Sequence, residues 1–264
     1  MSLERLIGAP VMRRRRGKEA ALTSMGEALL PHARALISAS TAALAAVSFE
    51  NRGVLRLGAV ESASTYLLPA AVSAFRLRWP IVEVQVSVGL CDELRKRVRR
   101  GELDAALTLE GSERTQTQDE GWSRMLSPTR LGLIVASRTE RKTAQAKRAD
   151  LARRPFLLPD PNGPFTCLLQ AWFKARTDRP RFESAGSIDG VKRGVSSGDL
   201  VGVLPTYTLG EELASRSLVE LKVPEPLPSV ALWLMTQRQP LDGSPLYDMV
   251  EQIDRALSVS RCLA

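Results

Sequence analysis

Strands and helices alternate in two successive series along this chain, and that alternation sets what it can fold into. From Gly53 the sequence runs G-V-L-R-L-G-A-V-E-S-A-S-T-Y-L-L-P-A-A-V-S-A-F-R-L-R-W-P to Pro80. Val54 to Val60 alternates apolar and other residues, which predicts a short buried strand. Leu67, Leu68, Ala71, Val72 and Phe75 then recur at helical spacing, which predicts a helix over Tyr66–Arg78 that Pro80 stops. Val82, Val84, Val86 and Val88 share one face of a strand, Asp92 caps a helix closed by Gly101, and Asp104–Leu109 is a further strand. The second series has strands at Leu131–Ala136, Phe156–Leu158, Arg181–Ala185, Val201–Leu204 and Val230–Thr236, with helices at Phe165–Arg176, Ile188–Ser197 and Leu246–Leu257. Parallel strands need crossover helices, so the expectation is two α/β lobes joined near Thr129.

Ligands of such sheets sit beyond the carboxyl ends of the strands. Three strand-to-helix junctions offer candidates: Ser62 to Thr65, Asn162 to Phe165, and Ser187 to Asp189. Backbone N–H groups at a helix start, next to hydroxyls, suit a carboxylate or another anion. The plain alternative is ordinary helix capping with no ligand.

Composition removes several function classes. A length of 264 residues with 44% hydrophobic content suits two lobes, each with its own core. No apolar run approaches the roughly 18 residues that a membrane helix needs. The N-terminus lacks the order of a signal peptide, so a cytoplasmic protein without a membrane partner is expected. Cys91, Cys167 and Cys262 are odd in number, far apart and without metal-ligand spacing. His32 is the one histidine and lies in a predicted long helix, which argues against histidine-based catalysis. Paired acids such as Asp92 and Glu93 read as helix caps, and no phosphate-cradling loop or nucleophile–base pair occurs. The expectation is no enzyme, no cofactor and no metal.

The net charge of +8 is concentrated near the start, where Arg13, Arg14, Arg15, Arg16 and Lys18 fall within six residues around Gly17. A basic loop of this kind suits contact with a phosphate backbone. Ser2 to Ile7 reads as the end of a helix, with Gly8 and Pro10 beyond it. Thr23 caps a long helix running to about Val47, where Leu22, Leu29, Leu36 and Ala43 recur at seven-residue spacing among small alanines. Pro31 should bend that helix. Pairing with a second copy of itself is favoured over packing on its own domain.

Several runs, in this order, resemble the LysR-type transcriptional regulators. Leu3 to Met12 is similar to the end of the recognition helix and the turn into the wing, and Leu22-Thr23-Ser24-Met25-Gly26-Glu27-Ala28-Leu29-Leu30 to the start of the linker helix. Leu55 to Pro69 with Phe75 and Pro80 resembles the opening of the effector domain. Gly101-Glu102-Leu103-Asp104-Ala105-Ala106-Leu107 resembles its G-x-L-D turn and strand, and Val195 to Pro205 its late glycine-rich strand. The resemblance implies an α/β, two-lobed, periplasmic-binding-protein-like effector domain, preceded by a linker helix and the remnant of a winged helix-turn-helix. Its segments would be 1–22 (recognition-helix remnant and wing), 23–50 (linker and dimerisation helix) and 53–264 (effector domain). Within the last, one subdomain would cover about 53–129 plus 236–264 and the other about 130–235.

The same resemblance implies a transcriptional regulator that binds double-stranded DNA and a small-molecule effector, an anion by the reading above. Ser62, Ser64, Thr65, Leu90, Thr129, Asn162, Ile188 and Asp189 would line the effector site. Arg5, Arg13, Arg14, Arg15, Arg16 and Lys18 would contact DNA, and the protein would be a homodimer or homotetramer. Most of the helix-turn-helix would lie before Met1, so the sequence as given is expected to be N-terminally truncated. The alternative is a stand-alone small-molecule-binding protein without specific DNA binding.

Overall fold

A computed structural model describes residues 3–13, 21–33, 36, 53–113, 121–138, 145–160, 163–173 and 180–262. The chain divides into two units, Met1–Gly53 with Pro240–Asp248, and Val54–Gln239 with Met249–Ala264.

The first unit begins with helix α1 (Leu3–Ile7). Strands β1 (Met12–Arg13) and β2 (Ala21–Leu22) form an antiparallel pair, and a helix α2 follows over residues 24–33. Thr23 joins these pieces. Its hydroxyl accepts the Gly26 N–H at 3.1 Å, which is the predicted cap, and donates to the Pro10 carbonyl at 2.8 Å. Its own N–H donates to the Val11 carbonyl at 3.1 Å. The Glu4 carboxylate accepts the Val11 N–H at 2.9 Å, so both ends of this short segment are fixed. The stretch expected to be helical beyond residue 33, residue 36 excepted, lies outside the described residues.

The second unit is built on two five-stranded sheets. Its first half contains β3 (Val54–Ala59), α3 (Glu61–Tyr66), α4 (Leu68–Arg78), β4 (Glu83–Val88), α5 (Cys91–Arg99), β5 (Ala105–Gly111) and β6 (Trp122–Thr129). The second half contains β7 (Leu131–Ala136), α6 (Arg148–Leu151), β8 (Phe156–Leu158), α7 (Pro164–Trp172), β9 (Phe182–Ser184) and α8 (Ile188–Ser197). It continues with β10 (Val201–Pro205), a 3-10 turn at Thr206–Thr208, α9 (Gly210–Ala214) and β11 (Leu218–Leu221). β12 (Val230–Thr236) and α10 (Pro245–Cys262) complete the chain.

The first sheet has the order β4-β3-β5-β12-β6 and the second β11-β7-β10-β8-β9. Each is mixed, not wholly parallel: β12 is antiparallel to β5 and β6, and β7 is antiparallel to β10 and β11. β12 pairs along its whole length in the first sheet, so the chain returns to the first lobe over residues 222–229, and a second lobe drawn to residue 235 takes in a strand of the first.

Local details depart from the sequence reading in physical ways. The single helix expected over Tyr66–Arg78 is two, broken at Leu67, with Pro69 in the first turn of α4. Asp92 does not cap α5: the helix starts at Cys91, and the Asp92 carboxylate pairs with the Arg95 guanidinium one turn on. The β4 valines do not form a buried face: Val86 and Val88 stand exposed. β6 and β11 are edge strands, and Pro128 is tolerated on such an edge.

Each lobe packs a helix on its sheet. Leu94 and Val98 of α5 meet Leu103 and Ala106 in the first lobe. In the second, Ile188, Val191 and Val195 of α8 meet Ile134, Leu157, Leu204, Leu209 and Leu218. The G-E-L-D turn has a clear purpose in the first lobe. Gly101 takes φ +70° to end α5, Leu103 enters the core, and the Asp104 carboxylate accepts the Arg56 N–H at 2.7 Å.

Candidate functional site

The polar run after β3 is the first turn and a half of α3, not a loop ahead of a helix. Val60 precedes it with no side-chain cap, and Ser62 and Ala63 are buried. This places Glu61, Ser62 and Tyr66 opposite the second lobe, where each makes a hydrogen bond across.

The Ile188 N–H, at the start of α8, donates to both oxygens of the Glu61 carboxylate at 3.0 and 3.1 Å. The Tyr207 hydroxyl, in the 3-10 turn behind β10, donates to the Ser62 hydroxyl at 2.8 Å. The Lys192 ammonium donates to the Tyr66 hydroxyl at 2.9 Å and lies 4.9 Å from the centre of that ring. Lys192 also holds both oxygens of the Glu212 carboxylate, at 2.8 and 2.9 Å.

The charges are matched to these partners. Burial alone would lower the Lys192 pKa, but the hydrogen bonds with Glu212 and Tyr66 outweigh it and raise the value above the ordinary 10.5. The Tyr207 phenol is pushed up by burial, against a smaller opposing contribution from its bond to Ser62. Both groups therefore hold their protons at neutral pH. Ser187 caps α8 as expected, its hydroxyl accepting the Gly190 N–H at 3.0 Å. A Cβ at Gly190 would lie 2.7 Å from the Ala185 carbonyl oxygen, so the chain can turn this tightly into α8 only with glycine there.

Of the residues expected at an effector site, Ser62 and Ile188 meet across the lobes through Tyr207 and Glu61. Ser64 is half-buried in α3, whereas Thr65 is exposed. Leu90 is 60% exposed. Asp189 is exposed and accepts from the Arg193 guanidinium at 2.6 Å on its own helix. Asn162 lies outside the described residues. Thr129 stands elsewhere, in a cavity of about 530 Å³ formed where the two crossovers meet, with Arg130, Glu220, Lys222 and Glu225 around it. Trp172 fixes one wall of that region, its indole N–H donating to the Pro226 carbonyl at 2.9 Å.

The anion expected beside the Ser/Thr run has an internal counterpart. The α8 N-terminus already carries a carboxylate, that of Glu61. Sequence reasoning passed over Glu61, Tyr66, Lys192, Tyr207 and Glu212. One signal was available: Lys192 falls one turn after Ile188, on the buried face of α8, where an unpaired lysine is not tolerated.

Among the candidates for DNA contact, Arg5 in α1 and Arg13 in β1 are exposed. Arg14, Arg15, Arg16 and Lys18 lie outside the described residues. Among the described residues no group of histidine, cysteine or carboxylate side chains could hold a metal, and no helix is long and apolar enough to cross a membrane.

Residues 50–258 match the family model for the LysR substrate binding domain. The HTH-type transcriptional regulator CbbR of Xanthobacter flavus is 28% identical over 95% of this chain and 77% of its own length. A solved cysteine-substituted OxyR from Corynebacterium glutamicum superposes with a TM-score of 0.66 at 19% identity, over 99% of this chain and 83% of that one. ArgP from Mycobacterium tuberculosis gives a TM-score of 0.63 at 19% identity, over 97% and 84%. At such identity the structural likeness speaks for the fold.

Proposed function

The chain belongs to the LysR-type transcriptional regulators, and we propose that it reads double-stranded DNA through its N-terminal unit and answers to a small-molecule effector held between the two lobes of its second unit. Regulators of this family bind DNA and small-molecule effectors and act as oligomers. The observation that supports the effector site is the set of bonds across the lobes, Glu61 to Ile188, Ser62 to Tyr207 and Tyr66 to Lys192. Polar contacts between the two lobes are what a ligand can exchange for its own. A ligand that binds one lobe arrangement better than the other shifts the population toward it.

Ser62, Ser64, Thr65, Leu90, Asn162, Ile188 and Asp189 belong to this cleft in our reading, with Thr129 at the hinge between the lobes. Arg5, Arg13, Arg14, Arg15, Arg16 and Lys18 serve phosphate contact. The helix that starts at Thr23 pairs with its copy, giving a homodimer or homotetramer in the cytoplasm.

Fluorescence anisotropy of the whole chain on labelled duplex DNA, at several salt concentrations, tests the reading. Each neutralised phosphate should contribute about −0.9 to the slope of log K against log salt. Replacing Arg13 with Ala should reduce the slope by about one contact. A slope near zero would remove the DNA-reading role from this chain.

A further inference from the structure

The start of α8 is an anion-binding end that already carries its anion. The Ile188 N–H is taken by both Glu61 oxygens, at 3.0 and 3.1 Å, and the Gly190 N–H by the Ser187 hydroxyl. The helix is ten residues long, so its dipole favours a negative group here. The two cations on the same helix are also taken. Lys192 is paired with Glu212 at 2.8 Å and Arg193 with Asp189 at 2.6 Å. Among the described residues no ion pair joins Glu61 to a lysine or arginine, so its charge is balanced only by the helix end.

A second carboxylate brought to this place would find the Ile188 and Gly190 amides and both cations of α8 already taken. It would also stand beside Glu61, and like charges in a partly desolvated cleft repel. A ligand that offers Glu61 a neutral or cationic N–H donor meets no such opposition. We infer that Glu61 is a specificity-determining residue: it fills the anion position of the cleft, so the cleft accepts neutral or cationic effectors in preference to carboxylates. This rests on the cleft being the effector site. Removing the carboxylate converts the same place into an acceptor for small anions.

The test uses the full chain, isotopically labelled for NMR, with the Ile188 amide as the reporter. Wild type, Glu61→Ser and Glu61→Gln are compared, the last keeping the shape of the side chain without its charge. Before any ligand is added, the Ile188 amide should exchange with solvent about tenfold faster in both variants, the worth of one charge-assisted hydrogen bond. Sodium acetate and sodium benzoate are then titrated. The Ile188 resonance should move saturably in Glu61→Ser, with an apparent affinity about tenfold or more above wild type. Three results would overturn the inference: unchanged Ile188 exchange in both variants, wild type responding at the same salt concentration as Glu61→Ser, or no response in either protein. None of these readings involves DNA, so a failure of DNA binding leaves them interpretable and counts against the regulatory role alone.

Discussion

The Tyr207 hydroxyl donates to the Ser62 hydroxyl at 2.8 Å across 145 positions of sequence, where the two lobes meet. Removing the phenolic oxygen strands the Ser62 hydroxyl, since Ser62 is only 5% exposed. Tyr207→Phe should therefore destabilise the second unit by about 1–2 kcal/mol in urea unfolding. Adding Ser62→Ala should cost less than the sum of the two single changes, because the pair is then removed together. Additive costs would show that the bond is not made in solution.

Lys192 is the most buried charge on α8, and its partners lie in both lobes. Lys192→Met leaves the Glu212 carboxylate, itself 21% exposed, without its cation. A cost of about 2 kcal/mol is expected, below the full penalty for a deeply buried pair because water still reaches Glu212. Lys192→Met with Glu212→Gln should recover much of it. The pH dependence has a definite sign. The folded-state pKa lies above the ordinary 10.5, so the contribution is complete below that value and is lost only as pH rises past it through the folded pKa. Unfolding curves of wild type and Lys192→Met should differ by a constant amount from neutral pH to about 10 and converge above it.

Cys91 begins α5, and its thiol faces the Leu109 carbonyl at 3.6 Å. Burial pushes its pKa up from 9.0 to about 11, only partly offset by that carbonyl contact. Because the thiolate is the reactive form, Cys91 should alkylate at the rate at which the lobe opens, while the exposed Cys167 reacts directly. Peptide mapping after a timed iodoacetamide pulse separates the three thiols. Equal labelling of Cys91 and Cys167 at mildly alkaline pH would contradict the burial. The raised value also has a linkage consequence: stability from the protonated thiol is present below pH 9.0 and falls as pH rises toward about 11.

Asp104 joins the turn after α5 to β3 through the Arg56 N–H. Asp104→Ala leaves that amide without its acceptor and should cost about 1.5–3 kcal/mol, whereas Asp104→Asn, which keeps an oxygen in place, should cost less than half as much. Thermal denaturation of the two variants side by side decides this. Equal losses would mean that the turn is held by Leu103 in the core and not by the carboxylate.

Local chemistry was legible in the sequence and distant chemistry was not. Thr23 and Ser187 cap helices three residues ahead of the amides they accept, and Gly101 ends α5 where it stands, so each can be read from its neighbours. The mixed sheets were hidden, because β6 and β11 are short or polar edge strands whose pairing comes from β12 and β7. The bond from Ile188 to Glu61 spans 127 positions, and nothing near either residue announces it. The Ser/Thr run lies at a junction where the lobes bond to each other. Its hydroxyls are less central there than the glutamate that precedes them, because a helix begins at Glu61 and not at Tyr66 and turns Glu61 toward α8.

The place of β12 in the first sheet has a consequence for the order in which this protein is made. β6 has β12 as its one sheet neighbour, and β12 leaves the ribosome only after the whole of 131–221. The second lobe is contiguous in sequence and has all five of its strands by residue 221, while the first lobe must wait with β5 and β6 unjoined. At about 5–20 residues per second, that wait lasts several seconds or more. A ribosome-bound chain ending at residue 225, followed by an added linker long enough to clear the exit tunnel, should thus carry a protease-resistant second lobe and a cleavable segment at 122–129. During synthesis, the half that starts first is the half that finishes last.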